Sequence, residues 1–128
     1  MIVLIIVGVL LILLCYYLFP IIQVCGCSMY PTYRDGEIIF GTRLYRDELK
    51  VGDVILYKSP TDEKRIVVKR IHSILDDGRD LYFYCLGDNA DCSYDSRHYG
   101  YVSSKRIVCK VINQRGNVRD ERDNNLCN

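Results

Sequence analysis

The chain has 128 residues, with 17 Lys or Arg against 16 Asp or Glu and 49% hydrophobic residues. That length gives room for one domain and argues against a second catalytic module. Mixed signs and no dominant basic run argue against nucleic acid as a partner, since phosphate binding needs a positive face.

The charge is unevenly placed, because Arg34 is the first charged side chain. Residues 1–22, MIVLIIVGVLLILLCYYLFPII, would span about 33 Å as a helix, against roughly 30 Å for a hydrocarbon core. Gly8 is tolerated in such a helix, and Tyr16, Tyr17 and Phe19 suit an interfacial aromatic belt. The stretch therefore reads as a retained transmembrane anchor, with the lipid bilayer as a partner. A cleaved signal peptide fits less well, since there is no basic n-region and the apolar run is long for one. VCGC, residues 24–27, is lipobox-like and would make Cys27 a lipidated N-terminus, but it too lacks a charged n-region. Charge does not orient the anchor, because the basic residues beyond it lie in a domain-sized segment.

Beyond residue 33 the pattern is one of strands and turns. Asp35-Gly36 marks a turn before a short strand, Glu37 to Phe40, which Gly41 is expected to break. Gly52-Asp53 precedes a second strand, Val54 to Tyr57. The polar loop TDEK leads into a third, Arg65 to Leu75, closed by DDGRD. LYFYCLG and KRIVCKVIN supply a fourth and a fifth. The expected fold is mainly β, with an N-terminal transmembrane helix over residues 1–22. A small antiparallel β domain, a folded sheet or barrel joined by sequential hairpins, follows over residues 23–113. Residues 114–128 read as a tail too polar to pack.

Seven cysteines are many for this length. Cys15 belongs to the apolar stretch, leaving Cys25, Cys27, Cys85, Cys92, Cys109 and Cys127, an even six. No pair has the CxxC spacing of a zinc ribbon, so no metal site is expected. The six fit disulfides in an exported domain and small buried thiols equally well, and no bridge is assigned.

CGCSMYPTY, residues 25–33, places Ser28 just past the apolar stretch. A serine hydroxyl is a poor nucleophile at neutral pH and needs a base. His72 falls in mid-strand and His98 in a loop, and nothing in their spacing makes either of them that base. Lys69, in RIVVKRI, is the other choice, provided burial lowers its pKa. On a strand, positions 67, 69 and 71 share one face, so Lys69 points with Val67 and Ile71 toward the apolar side. A lysine on a solvated strand face is the alternative. GDNADCSYDSR, residues 87–97, could be an ordinary polar loop whose Asn and Asp serve turn geometry.

SMYPT, VKR and GDNADCSYDSR, in this order behind an apolar segment, resemble the type I signal peptidase family, membrane-bound serine proteases that use a Ser/Lys dyad. VGDVILY and HYGYV resemble further segments of that family, so the resemblance covers about residues 1–112. It implies Ser28 as nucleophile and Lys69 as general base. It also implies that the Ser93 hydroxyl orients the lysine amine, that Asp95 and Arg97 form a supporting ion pair, and that Gly87, Asp88 and Asn89 shape the turn. The Ser28 backbone N–H is one oxyanion donor. Gly26 stands where one branch of the family has a donating serine, so this chain is similar to the branch with glycine there. Only 17 residues separate Lys69 from Gly87, where large members carry an extra domain.

The implied activity is that of a serine endopeptidase removing N-terminal signal peptides from exported preproteins, with no cofactor. The resemblance places the protein in the cell membrane, single-pass, with its catalytic domain on the extracytoplasmic side. Preprotein signal peptides and the translocation machinery would be its partners. Ile22, Val24, Met29, Val67 and Val68 would wall an apolar cleft that takes an extended peptide by strand pairing. Two other readings remain: a Ser/Lys protease dedicated to one substrate, such as a pilin-like or conjugation protein, and a non-catalytic membrane-anchored β adaptor. Self-cleavage in the manner of LexA-like repressors is disfavoured, since no DNA-binding segment precedes the core.

Overall fold

The structure, a computed structural model, describes residues 1–44 and 48–114. Helix α1 spans Ile2–Leu18. The strands are β1 (Ile21–Gln23), β2 (Ile38–Thr42), β3 (Val54–Lys58), β4 (Ile66–Asp76), β5 (Leu81–Leu86), β6 (Val102–Ser103) and β7 (Ile107–Val111), with a short helix α2 (Ser96–Tyr99) between β5 and β6. All strand pairs are antiparallel. They form one sheet in the order β1-β2-β7-β3-β4-β5-β6. The domain is thus mainly β, but its connections are not all sequential hairpins: β7 returns from the end of the chain to lie between β2 and β3.

The run Val54-Ile55-Leu56-Tyr57 explains why β3 is central. All four residues are buried, and alternation divides them between two cores. Val54 and Leu56 join Val24, Met29, Tyr33, Ile39, Cys109 and Val111. Ile55 and Tyr57 join Ile71, Phe83, Cys85, Val102 and Ile107. Strand β7 serves both cores because its register against β3 shifts: Leu56 faces Cys109 and Tyr57 faces Ile107, so Val108 is the extra residue of a bulge. Without the bulge, strict alternation would put Ile107 and Cys109 on one face. A second shift at His72 keeps both the Ile71–Cys85 and Ile74–Phe83 pairs against the second core.

The expected transmembrane anchor is overturned. Helix α1 has 17 residues, about 26 Å long, short of the roughly 30 Å that a bilayer core requires. No helix among the described residues is long and apolar enough to cross a membrane. With it fall the lipid bilayer as a partner and the single-pass cell-membrane location. The physical reason lies in residues 19–22, which are not helical. Phe19 leaves helical geometry at φ −124° and ψ 72°, and Ile21, Ile22 and Gln23 pair with Phe40, Ile39 and Ile38. Arg43 caps the shortened helix from outside. Its backbone N–H donates to the Leu18 carbonyl (2.9 Å), its Nε donates to the Tyr17 carbonyl (2.8 Å), and its guanidinium lies over the Tyr17 ring. A cation at a helix C-terminus also complements the helix dipole.

Gly41 does not break β2 but lies within it. A Cβ there would come within 2.7 Å of the buried Cys109 Sγ and 3.2 Å of Ile22 and Pro20, so the sheet closes against bare backbone at this point. The expected tail at 114–128 lies outside the described residues except for Gln114. That side chain accepts from the Val54 N–H (2.9 Å) and donates to the Val54 carbonyl (3.1 Å). Gly41→Ala should lower stability by about 1–3 kcal/mol through overpacking against Cys109, read as a lower urea midpoint. Gly8→Ala, with open space around it in α1, should leave that midpoint unchanged or slightly raised.

Candidate active site

Ser28 follows directly on the strand pairing of β1. The Val24 N–H donates to the Glu37 carbonyl (2.8 Å), extending that ladder, and the chain then turns at Gly26, whose φ of +90° favours glycine. Asp35 Oδ1 accepts from the Gly26 N–H (2.8 Å) and fixes the turn. Ser28 begins a helical turn in which the Tyr33 N–H donates to the Met29 carbonyl (2.9 Å). Met29 and Tyr33 are fully buried and pin that turn to the first core, leaving Ser28 half-buried at its edge. Among the described residues no acceptor takes the Ser28 N–H.

Lys69 lies on β4 opposite Ile55 of β3. Its strand neighbours Val67 and Ile71 pack in the second core, and Lys69 itself is only 3% exposed. Among the described residues no carboxylate forms an ion pair with it. Burial accordingly pushes its amine down from 10.5 to about 8. The negative charge of Asp95 works against that shift, Arg65 and Arg97 add to it, and Asp88 opposes it. Arg70, on the other face, forks onto Asp88 through Nε (2.9 Å) and Nη2 (2.8 Å).

The segment 87–97 folds over the serine turn and is held there at several points. The Asn89 N–H donates to the Ser28 carbonyl (2.9 Å), and its side-chain amide donates to the Cys27 carbonyl (3.1 Å). Asp88 Oδ2 accepts from the Thr32 hydroxyl (2.6 Å). Gly87 is needed where these segments touch: a Cβ there would lie 2.6 Å from the Ser28 carbonyl oxygen and closer still to the Ser93 hydroxyl. Asp95, fully buried, receives five hydrogen bonds: from the Ser93 hydroxyl, the Gly87 N–H, the Arg97 N–H and two guanidinium nitrogens of Arg97. Burial alone would raise its pKa. The bonds from Arg97, Ser93 and the backbone outweigh burial and hold the carboxyl well below the usual range. The Ser93 hydroxyl therefore donates to Asp95, which leaves its lone pairs free to accept.

These segments border a cleft of about 630 Å³ whose lining includes both Ser28 and Lys69. Ile22, Val67 and Val68 line it half-buried, while Val24 and Met29 reach it from the first core. His72 packs edge-on against Tyr84 and His98 Nδ1 accepts from the Asp95 N–H, so both histidines are occupied away from Ser28. Among the described residues no three His, Cys, Asp or Glu side chains gather as metal ligands would.

Sequence reasoning missed four parts of this arrangement. Thr32 and Arg70 gave no signal of their own, because their common partner Asp88 is distant in sequence. Arg65, at the cleft rim, belonged to a stretch read as a strand start after a polar loop. The fourth is a disulfide between Cys27 and Cys92. An even count of six thiols hinted at bridges, but six cysteines allow 15 connectivities, and only the fold selects among them.

The family model described as signal peptidase, peptidase S26, matches residues 1–75. The chain is 32% identical over 119 residues to a mitochondrial ATP-independent inner membrane protease subunit 1a of Arabidopsis thaliana, covering 75% of this chain and 70% of that one. It is 33% identical over 116 residues to a mitochondrial inner membrane protease subunit 1 of Schizosaccharomyces pombe, covering 75% and 73%. Over 70 residues it is 30% identical to a signal peptidase complex catalytic subunit of Homo sapiens, covering 55% and 36%.

The unpaired burial of Lys69 carries a stability cost that Lys69→Met should reveal. Its pKa falls on folding from 10.5 to about 8, so the unfolded chain binds the extra proton between those values. Wild-type stability should therefore rise with pH across that window. Lys69→Met should be more stable than wild type by about 1 kcal/mol or more below pH 8, and the gain should shrink as the pH approaches 10. Urea melts at several pH values check both the sign and the window.

Proposed function

Because this chain belongs to the signal peptidase family, peptidase S26, a family of proteases, we propose that it is a serine endopeptidase in which Ser28 attacks and Lys69 serves as general base. The observation that carries this reading is the lysine itself. Its amine is buried in the same cleft as Ser28, lacks a carboxylate partner among the described residues, and is held near 8. A neutral amine is what a serine hydroxyl needs in order to lose its proton.

In this reading Lys69 Nζ takes the Ser28 Oγ proton as Oγ bonds to the scissile carbonyl carbon. The ammonium then returns that proton to the leaving amine, and the C–N bond breaks. Water repeats the sequence on the acyl-enzyme, with Lys69 again accepting the proton. The Ser28 N–H, which no described acceptor occupies, donates to the developing oxyanion. Gly26 does not compete for that task, since its N–H is bonded to Asp35; its part is the positive-φ turn that presents Ser28. In the same reading the Ser93 hydroxyl, tied to Asp95, offers its acceptor oxygen to the Lys69 amine, and Arg97 keeps Asp95 ionised.

The proposed substrates are N-terminal signal peptides of preproteins, bound extended. Among the described residues strand β1 has a partner on one side only, and β4 is unpaired with β5 before Arg70, so both offer free backbone groups along the cleft. An added strand pairs with such edges. Ile22, Val67 and Val68 supply the apolar surface for its side chains, with Val24 and Met29 backing that wall from the first core.

Ser28→Ala and Lys69→Ala should each lower kcat on a model preprotein by roughly a thousandfold or more while the far-ultraviolet circular dichroism stays unchanged. For wild type, kcat/KM should climb roughly tenfold per pH unit below 8 and level off above it, because only the neutral amine is a base. Full activity in either variant, or a flat profile between about pH 6 and 9, would remove Lys69 from this role.

A further inference from the structure

Cys27 and Cys92, 65 residues apart in sequence, are joined by a disulfide with their Cα atoms 6.0 Å apart. Each directly precedes a serine of the site, Cys27 before Ser28 and Cys92 before Ser93. Both are exposed and both line the cleft, where a dissolved thiol can reach them. Beside this bond, hydrogen bonds among the described residues fasten the segment 87–97 to the serine turn, including the two from Asn89 and the one from Thr32. We propose that the Cys27–Cys92 bond is a positioning element of the proposed proteolytic site, a covalent clamp that makes the oxidised protein the active form. The inference rests on the proposed function above.

The reasoning is geometric. Fixing the residue before Ser28 to the residue before Ser93 sets the spacing of the nucleophile turn from the Ser93–Asp95 network. A displacement of about 1 Å at such a place costs on the order of 100-fold in rate. Cys25, although exposed and free, takes no part; its thiol donates to the Gln23 carbonyl (3.9 Å). A dithiol reductant opens the clamp by supplying two electrons and two protons. The S–S bond breaks, two cysteine thiols form, and the dithiol closes to its own disulfide. The cores contain neither cysteine, so reduction frees the clamp without dissolving the sheet.

The test compares the oxidised protein with the same protein held in a dithiol, using peptide mapping, hydrogen exchange and cleavage of a model preprotein. Mapping should find Cys27 linked to Cys92, and Cys25→Ser should keep that link; a link through Cys25 overturns the proposal. Reduction should speed exchange of the Asn89 amide, bonded to Ser28, by about tenfold or more, while the Ile71 amide of the core is unchanged. It should lower kcat about 100-fold with KM altered less than about threefold, and Cys27→Ser/Cys92→Ser should behave like the reduced form and ignore the dithiol. Unchanged exchange at Asn89 overturns the clamp whatever the activity. Faster exchange with kcat intact overturns the positioning role and leaves the protease reading standing. Faster exchange with no cleavage even by oxidised protein removes the protease reading and the clamp's role in it.

Discussion

The site depends on one buried carboxylate. Asp88, with a side chain 3% exposed, accepts from Thr32, four residues after Ser28, and from both arms of Arg70, the residue after Lys69. It therefore joins the serine turn, strand β4 and the segment 87–97 at one point. A buried ion pair of this kind adds little to stability against an apolar substitute, but losing one partner strands a charge in the interior. In this arrangement of the three segments Asp88 has partners from both of the others. Gly87 and Asn89 on either side then complete the fit, one by lacking a side chain and the other by bonding to the serine turn.

Strand alternation converts this anchoring into electrostatics. Because Arg70 is turned toward Asp88, its neighbour Lys69 must face the opposite side, among Val67, Ile71 and the second core. Among the described residues the arginine has a carboxylate partner and the lysine has none. The fold thus holds a cation in a place that disfavours its charge, and the neighbouring satisfied pair keeps β4 from rotating to relieve it. Asp95 stands nearby but is saturated by five donors, so it tempers the lysine's loss of basicity without forming an ion pair with it.

What the sequence showed and what it concealed divide along the range of the forces involved. The face of Lys69 was legible because alternation is local and the flanking residues are aliphatic. The β class and most strands were legible from turn chemistry and β-branched runs. The place of β7 was not, since KRIVCKVIN reads the same whether it closes a hairpin or returns to the middle of the sheet. Gly41 was misread for a related reason: a glycine inside a strand pattern signals either an ending or a close approach, and only Cys109, far along the chain, decides which. Asp88 and Cys92 carried no mark of their partners, because long-range pairs leave no periodicity.

The N-terminal misreading follows from the same limit and bears on the site. Hydropathy counts apolar residues but does not see where backbone bonding changes hands. The Gly41 N–H donates to the Pro20 carbonyl (2.8 Å), and Ile21–Gln23 pair with β2, so the sheet takes over residues that composition alone assigns to a helix. Arg43, at the end of β2, caps the helix where the strand begins and fixes that boundary. Of the residues withdrawn from the helix, Ile21 and Ile22 border the cleft, and they lead without a break through Gln23 and Val24 to the turn carrying Ser28. Had α1 continued through residue 22, this wall would be missing and Ser28 would hang from a helix end. The shorter helix and the formed cleft are one consequence of the pairing between β1 and β2.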